Sequence, residues 1–296
     1  MKKLEQSYTP RIRARVVIPV ILLAIVWWHG LYTYVVTNNE ELVRRSEQQV
    51  RDTKAHLELL AKIKAARLKR EAAANAVTAK TITDTLVGQI DAGATPTMSP
   101  NILQLTCNYA YEHADPAKPD VLVNKQHCIK PLNYAPKDLL SDGEVTLARS
   151  AYEAYQAMKQ AARTEGIVLT PTSSYRSFTL QITSYTDWYR TLGSAKRASE
   201  VSALPGYSEH QLGLAVDLRA GGCALECFRS TRAYAWLRAH AHEYGFIERY
   251  PEGKTSVTGY SAEAWHWRYV GKATAADMRI KGMSTLEEYY DLPGGS

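Results

Sequence analysis

The sequence predicts an α+β protein: a small mixed or antiparallel sheet with flanking helices, preceded by one transmembrane helix and a helical stalk. Three observations lead to this class. After residue 101, strand-like and helix-like segments follow one another without regular alternation, which argues against a doubly wound parallel sheet. A charge-free apolar stretch lies near the N-terminus. A long proline-free segment of helix-forming residues follows that stretch.

The N-terminal part of the chain has the pattern of a membrane anchor. Residues 16–36, VVIPVILLAIVWWHGLYTYVV, carry no charge, and about 20 apolar residues suffice to cross ~30 Å of hydrocarbon. Residues 1–15 form a basic tail and Glu40 and Glu41 follow the apolar stretch, so the positive-inside bias places the N-terminus in the cytoplasm. We expect a single-pass protein of the cell membrane with the rest of the chain outside. A cleaved signal peptide and a buried core helix are the alternatives.

Three further regions follow the anchor. Residues 37–81 are rich in helix formers and predict a stalk, with a partial apolar seam that favours weak self-association at most. A fully solvated helix is the alternative. Residues 82–100 resemble a linker, and residues 101–296 are predicted to form the extracytoplasmic domain. The seam consists of Val43, Val50, Leu57 and Leu60.

Charge and cysteine content limit the function of this domain. The basic tail and the stalk each carry a net charge of +4, whereas the whole chain carries +6. Residues 81–296 therefore carry a net charge of −2. Nucleic acid is therefore not an expected partner. Four cysteines lie on the predicted outer side, where disulfides persist, although a zinc site is the alternative. Proximity in the sequence favours Cys107 with Cys128 and Cys223 with Cys227.

Three helices are predicted inside the domain. Ser141 and Glu144 match a capping box, so a helix is expected from there to Glu165. Residues 177–192 and 230–244 are the other two, each followed by glycine.

Four strands are predicted from short apolar or alternating segments. They are residues 167–175, which continue into a loop, and residues 214–218, 246–250 and 264–270.

The segment SEHQLGLAVD contains a histidine and an aspartate in an otherwise apolar setting. On a strand 214–218, Asp217 would face the side opposite Val216, and His210 could fold back beside it. A buried carboxylate needs a partner, and a metal cation would supply one. A plain His–Asp hydrogen bond at a strand edge explains this segment equally well.

A second segment, SAEAWHWRYVG, favours the metal. His266 lies in an aromatic strand, and two histidines with Asp217 make a three-ligand zinc site with an open position. Glu263, three residues before His266, supplies the unligated carboxylate that a zinc hydrolase uses as a general base. Trp265 and Trp267 are expected to point away from His266.

Together these motifs resemble the VanY-type D-alanyl-D-alanine carboxypeptidases, zinc peptidases that trim peptidoglycan stem peptides and include L,D-carboxypeptidase relatives. The resemblance covers residues 124–271. Besides SEHQLGLAVDL and EAWHWRYVG, it includes the segments VNKQHCIKPLNYAPKDL, SSYRSFTLQ and HEYGFIERYPEGK. It implies a zinc peptidase fold, zinc on the three ligands and Glu263 as the base. It also implies a substrate-binding arginine at Arg176, with Gln181 and Ser208 lining the site. Chemistry supports the arginine independently, because a guanidinium group holds a terminal carboxylate bidentately.

The sequence therefore predicts a membrane-anchored zinc carboxypeptidase that removes the C-terminal D-alanine from peptidoglycan stem peptides, by D,D or L,D cleavage. Two alternatives remain. One is a zinc-containing module that binds peptidoglycan without hydrolysis, and the presence of Glu263 argues against it. The other is a zinc endopeptidase of the cell wall, which would not need a clamp for a terminal carboxylate.

Overall fold

The N-terminal part of the structure is one long helix. This computed structural model describes residues 14–92 and 113–294, and helix α1 spans Ala14–Asp91. No helix in those described ranges is both long and apolar enough to cross a membrane. The anchor at residues 16–36 stays a prediction from the sequence.

Two units divide the chain, one up to Ala66 and one from Arg67 onward. In the first unit, all four side chains of the predicted seam are exposed, so self-association stays a prediction. In the second unit, α1 extends into the segment 82–100 that was predicted as a linker. Ile82 and Leu86 lie one helical turn apart, and both are fully buried in an apolar cluster with residues such as Tyr185. This burial explains why the helix continues beyond the predicted boundary.

A hairpin replaces the start of the first predicted domain helix. Strands β1, Leu139–Ser141, and β2, Thr146–Ala148, pair antiparallel. Asp142 Oδ1 accepts the backbone N–H groups of Glu144 and Val145 at 3.0 and 2.9 Å. The prediction that Ser141 and Glu144 cap a helix is therefore wrong: aspartate in the turn takes the free N–H groups, and helix α2 begins only after β2.

The other two helices predicted in the domain are confirmed, and the described residues form four further α-helices that were not predicted. Ser177 accepts the N–H of Leu180 as the N-cap of α3, Phe178–Leu192, and Gly193 ends that helix in the left-handed conformation. The predicted helix 230–244 becomes an α-helix followed by a 3₁₀ turn. The α-helices are α2 Arg149–Thr164, α3 Phe178–Leu192, α4 Ala195–Val201, α5 Arg232–His240, α6 Thr255–Thr258, α7 Lys272–Lys281 and α8 Leu286–Tyr290. The 3₁₀ helices are Glu209–Leu212, Leu225–Ser230 and Ala241–Tyr244.

An antiparallel sheet forms the centre of the domain and confirms the α+β prediction. Its strands are β3 Thr170–Ser173, β4 Ala215–Arg219, β5 Phe246–Tyr250 and β6 Glu263–Tyr269. Their order in the sheet is β3-β4-β6-β5, so β4 and β6 lie side by side in the middle. Val216 of β4 pairs with Trp267 of β6, and both lie in the main apolar core. The neighbouring register pair, Asp217 with His266, faces the other side of the sheet.

One of the two predicted disulfides lies within the described residues. Cys223 and Cys227 form a disulfide, as proximity in the sequence predicted. Cys107 lies outside the described residues, so its pairing with Cys128 stays a prediction.

Candidate metal centre

The two central strands and one 3₁₀ helix bring three predicted metal ligands together. Potential ligand atoms of His210, Asp217 and His266 all lie within 4.8 Å of one another. Asp217 and His266 are adjacent because they are register partners in β4 and β6. His210 reaches them from the 3₁₀ helix Glu209–Leu212, which precedes β4.

Gly213 makes the turn between that 3₁₀ helix and β4. Its φ of +65° lies in the left-handed region that favours glycine. A Cβ atom at this position would also approach the backbone nitrogen of Ala148 to 2.8 Å. Glycine is therefore required at position 213 by the backbone conformation and by the lack of space for a side chain. The turn that it makes brings His210 back toward Asp217.

The two histidines are held by hydrogen bonds at different ring nitrogens, Nδ1 in His210 and Nε2 in His266. His210 Nδ1 lies 2.6 Å from the carbonyl oxygen of Ser174, which only accepts, so Nδ1 carries the proton. His210 Nε2 then faces Asp217 Oδ2 at 3.3 Å. His266 is arranged the other way around: Nε2 lies 3.2 Å from Glu209 Oε2, while Nδ1 faces Asp217 Oδ1 at 3.1 Å. Each histidine therefore turns one ring nitrogen toward the aspartate, and this nitrogen offers a lone pair to a metal once it carries no proton.

The residues present fit a cation between these atoms. Asp217 Oδ1 is buried and lies 3.1 Å from His266 Nδ1, so a hydrogen bond joins the two atoms only when Nδ1 carries a proton. Two lone pairs at that separation repel unless a proton or a metal ion lies between them. In the metal-free chain a proton takes this place: burial lowers the pKa of His266, but hydrogen bonds to Asp217 and Glu209 outweigh it and raise that pKa to about 10.

Glu263 lies at the edge of this cluster. Its Oε2 is 3.6 Å from His266 Nδ1, and its side chain is 12% exposed. Burial raises the pKa of Glu263 to about 8, with His266 opposing and the charges of Asp217 and Glu209 adding to the rise. A carboxyl group in this position holds and releases a proton near neutral pH.

Arg176, Gln181 and Ser208 line the same cleft, which encloses about 170 Å³. Arg176 donates from Nη1 to Gln181 Oε1 at 2.9 Å and from Nη2 to Ser173 Oγ at 3.0 Å. Gln181 is fully buried and also donates to the carbonyl of Ala203 at 2.7 Å, so it orients the arginine. Ser208 is buried at the start of the 3₁₀ helix, and its hydroxyl does not cap that helix.

The two tryptophans that flank His266 differ in their surroundings. Trp267 is buried in the core as predicted. Trp265 is half-buried and packs against the same core, but it also lines the cleft with His266, so the prediction that it points away holds only in part. The register between β5 and β6 shifts between Glu248 and Tyr250, and this irregularity breaks strict alternation near the start of β6.

A group of buried charges that was not predicted from the sequence lies behind His266. Glu209 Oε1 accepts from Arg249 Nε and from Arg268 Nη1, both at 2.7 Å. Arg249 also donates to both carboxylate oxygens of Glu287, at 2.7 and 2.9 Å. All four side chains are at most 2% exposed. Charges inside apolar strands, as in FIERY and AWHWRYV, were the available signal, because such charges need partners. We call Glu209, Arg249, Arg268 and Glu287 the buried charge network.

Comparison with known proteins supports the sequence resemblance. A family model described as VanY, D-alanyl-D-alanine carboxypeptidase, matches residues 144–272. The chain is 38% identical to a D-alanyl-D-alanine carboxypeptidase of Enterococcus faecalis over 58% of this chain and 65% of that protein. It is 34% identical to the bifunctional D-Ala-D-Ala dipeptidase and carboxypeptidase VanXYC of Enterococcus gallinarum, over 57% of this chain and 92% of that protein. The chain thus spans about two thirds of the length of the first curated relatives it matches.

Solved structures agree in fold with this chain. The LdcB LD-carboxypeptidase matches with a TM-score of 0.54 and 39% identity, over 58% of this chain and 87% of that one. A vancomycin resistance D,D-pentapeptidase VanY in complex with Zn(II) matches with a TM-score of 0.50 and 36% identity, over 58% of this chain and 98% of that one. These similarities cover nearly the whole of the smaller relatives. The chain therefore belongs to the VanY family of D-alanyl-D-alanine carboxypeptidases.

Proposed function

We propose that this chain is a zinc-dependent carboxypeptidase that removes the C-terminal D-alanine from peptidoglycan stem peptides. One observation carries the proposal: His210, Asp217 and His266 converge on one point, with the carboxyl group of Glu263 beside it. The zinc complex of a related D,D-pentapeptidase supports the choice of metal.

The donor set suits zinc. Two neutral imidazoles and one carboxylate are a common set for catalytic zinc, which keeps a further position open. When bound, zinc would polarise the scissile carbonyl and make the attacking water more acidic. Glu209 would hold His266 in the tautomer that leaves Nδ1 free, through the 3.2 Å contact with Nε2.

Glu263 is the residue that moves the proton in this proposal. It is not needed as a ligand, and it lies 3.6 Å from the ligand His266. As a carboxylate it would take a proton from the attacking water and later deliver it to the leaving amine. A cation nearby would lower the pKa of Glu263 below its metal-free value of about 8, which provides the carboxylate at neutral pH.

Arg176 gives the reaction its preference for a chain end. Its guanidinium group lines the cleft and is oriented from one side by Gln181 and Ser173. A carboxypeptidase must bind a free carboxylate, and the remaining guanidinium surface can do this by charge-assisted hydrogen bonds. An endopeptidase has no such carboxylate to bind, so the arginine favours the carboxypeptidase over that alternative.

Mass spectrometry of muropeptides treated with the purified, zinc-loaded protein tests the proposal. Loss of one alanine from pentapeptides would establish D,D cleavage, and loss from tetrapeptides would establish L,D cleavage. Cleavage within cross-links instead would indicate the endopeptidase. Binding without any cleavage would indicate the non-catalytic module and refute the proposal.

We also propose a location outside the cytoplasmic membrane, with residues 16–36 as the anchor. The basic tail before this charge-free stretch and the glutamates after it support the proposal. Protease added to intact spheroplasts should then remove the domain from residue 113 onward. Full protection of that domain, with a periplasmic control protein digested, would refute it.

A further inference from the structure

A second cavity adjoins the metal cleft and contains a lysine that has no ion-pair partner among the described residues. The cavity encloses about 160 Å³ and shares Ser202 and Tyr260 with the cleft. Lys125 lines it, with Nζ 4.9 Å from the centre of the Tyr260 ring. Among the described residues, no carboxylate lies within 4.0 Å of this ammonium group, and Glu200 acts on it only from farther away. An uncompensated cation in a half-buried position favours an anionic ligand.

The backbone holds this lysine in place. The adjacent Asn124 is fully buried, and its Nδ2 donates to Glu287 Oε1 at 3.0 Å and to the carbonyl of Pro293 at 3.2 Å. Asn124 Oδ1 accepts the backbone N–H groups of Gln126 and His127, both at 2.9 Å. The loop that carries Lys125 is thus fixed to the buried charge network through Glu287. A fixed loop reduces the entropy lost when a ligand binds.

Tyr260 supplies a second donor at the boundary of the two cavities. It is 3% exposed, and its hydroxyl has no hydrogen-bond partner in the described part of the chain. Its ring lies 5.0 Å from that of Tyr250, which in turn lies 5.0 Å from the His266 ring. A buried phenol without a partner costs stability unless a ligand satisfies it. This donor lies one aromatic ring away from the metal centre.

We propose that Lys125 and Tyr260 bind a carboxylate of the substrate peptide on the part that precedes the scissile bond. The inference rests on the proposed function, in which Arg176 takes the terminal carboxylate. A second, separate cation then implies a second anionic group within the peptide. The ammonium and the phenol both donate, so together they can bind the two oxygens of one carboxylate. Burial also lowers the pKa of Lys125, only partly opposed by Glu200, as expected for a cation that lacks a partner.

A matched pair of synthetic peptides tests this subsite. Both end in D-Ala-D-Ala, and the residue before this dipeptide carries a side-chain carboxylate in one and the corresponding carboxamide in the other. We expect the protein to prefer the carboxylate peptide by about tenfold or more in kcat/KM, the value of a charge-assisted hydrogen bond. Lys125→Met should bring this ratio close to one, and Tyr260→Phe should reduce it about two- to tenfold.

Lys80→Met is the matched control. Lys80 lines the same cavity, but its ammonium already pairs with Asp84 at 2.5 Å and its side chain is 74% exposed. This variant should keep the preference of the wild type. Equal rates on both peptides, or a preference that survives Lys125→Met, would overturn the inference.

Binding measurements separate this inference from the proposed function. Dissociation constants of the same peptide pair, measured by calorimetry on the zinc-loaded protein, report the subsite even if neither peptide is cleaved. A carboxylate preference without cleavage would retain the subsite and refute the enzyme. Cleavage without a carboxylate preference would retain the proposed enzyme and refute the subsite. Unfolding curves of each variant identify any loss that comes from misfolding.

Discussion

Two groups of buried charges meet at His266 and differ in how completely they are paired. On the Nε2 side, the carboxylate of Glu209 accepts from two guanidinium groups and from the histidine. On the Nδ1 side, the carboxylate of Asp217 faces the two histidines and, among the described residues, has no guanidinium group within 4.0 Å, while burial raises the pKa of Glu263 to about 8. The first group is the buried charge network, and the second is the candidate metal centre.

This difference in pairing assigns a structural role to the buried charge network and a metal-binding role to the candidate metal centre. Removing one member of a fully paired buried group is costly, because the remaining charges lose their partner. A buried group that is left unpaired instead costs stability until a ligand arrives, and such groups concentrate at functional sites. His266 belongs to both groups, so one nitrogen is held by the network while the other remains available for a metal. The following changes test that division of roles.

The largest effect is expected from Glu263→Gln. Glutamine has nearly the same shape but cannot accept the proton of the attacking water, and loss of a general base typically costs a factor of about 10² to 10⁴ in kcat. Zinc content should be unchanged, because Glu263 is not one of the three converging ligands. Muropeptide turnover and zinc content, measured on wild type and variant, check this. Unchanged turnover would show that Glu263 is not the base, and lost zinc would show that it is a ligand.

The next largest effect is expected from Glu209→Gln. The amide has one acceptor oxygen, whereas three donors surround the carboxylate. If its NH₂ group faces His266, the ring proton moves to Nδ1 and occupies the metal-binding lone pair. If the NH₂ group faces Arg249 and Arg268 instead, it meets two guanidinium groups that also only donate hydrogen bonds, and those hydrogen bonds are lost. We expect zinc affinity to fall about 10- to 100-fold and the unfolding free energy to fall by about 3–5 kcal/mol.

Glu248→Gln provides the matched control for that variant. Glu248 is also buried, and its carboxylate accepts from Arg238 at 2.6 Å and from the hydroxyl of Tyr234 at 2.9 Å. Within the described residues it does not line the metal cleft, and its hydrogen bonds and ion pairs go to Tyr234, Arg229 and Arg238. This variant should lose stability and keep zinc affinity in a chelator competition. Equal zinc affinity for the Glu209 and Glu248 variants would contradict the separation of the two groups.

A smaller and graded effect is expected from pH. In the metal-free protein, the pKa of His266 is about 10 and that of Glu263 about 8, above their ordinary values of 6.5 and 4.5. At these two groups the folded state thus binds more protons than the unfolded state. Their contribution to the unfolding free energy should fall as pH rises, from about 4.5 to 8 for Glu263 and from about 6.5 to 10 for His266. Zinc needs the lone pair of His266 and displaces its proton. Apparent zinc affinity should therefore rise with pH, by about tenfold per pH unit for each proton released.

Calorimetry in buffers of different ionisation enthalpy measures the released protons. Below pH 8, Glu263→Gln should release fewer protons than wild type, because only His266 still has to lose one. Zinc affinity that does not change between pH 6 and 8 would show that no proton occupies this site in the metal-free protein.

The sequence indicated the parts of this site whose chemistry is visible in the residue types. A histidine and an aspartate in apolar segments point to a ligand pair, and antiparallel register then places Asp217 beside His266. Glu209 escaped notice because it lies next to His210 and has the residue type of an ordinary surface position. Its burial depends on two arginines that are distant in the sequence, Arg249 and Arg268. Pairing of this kind is set by the tertiary fold and leaves no local pattern.

Local signals also failed where several side chains compete for the same backbone groups. Ser141 and Glu144 have the spacing of a helix cap, but the intervening Asp142 accepts the free N–H groups and closes a hairpin. The segment 82–100 has the composition of a linker, but its first part packs Ile82 and Leu86 into the apolar cluster around Tyr185. In both cases contacts made on folding outweighed a local preference.

The smallest effect is expected from Ser208→Ala, beside the candidate metal centre. Ser208 lines the cleft, and its hydroxyl does not cap the 3₁₀ helix that carries His210. Its removal should therefore leave zinc affinity and unfolding unchanged. If the hydroxyl binds the peptide, one neutral hydrogen bond is lost, and kcat/KM should fall about two- to tenfold, mainly through KM. Steady-state kinetics on a D-Ala-D-Ala peptide, with zinc content measured in parallel, provide the comparison. A fall in zinc affinity would instead assign Ser208 to the support of His210, together with Gly213 and the carbonyl of Ser174.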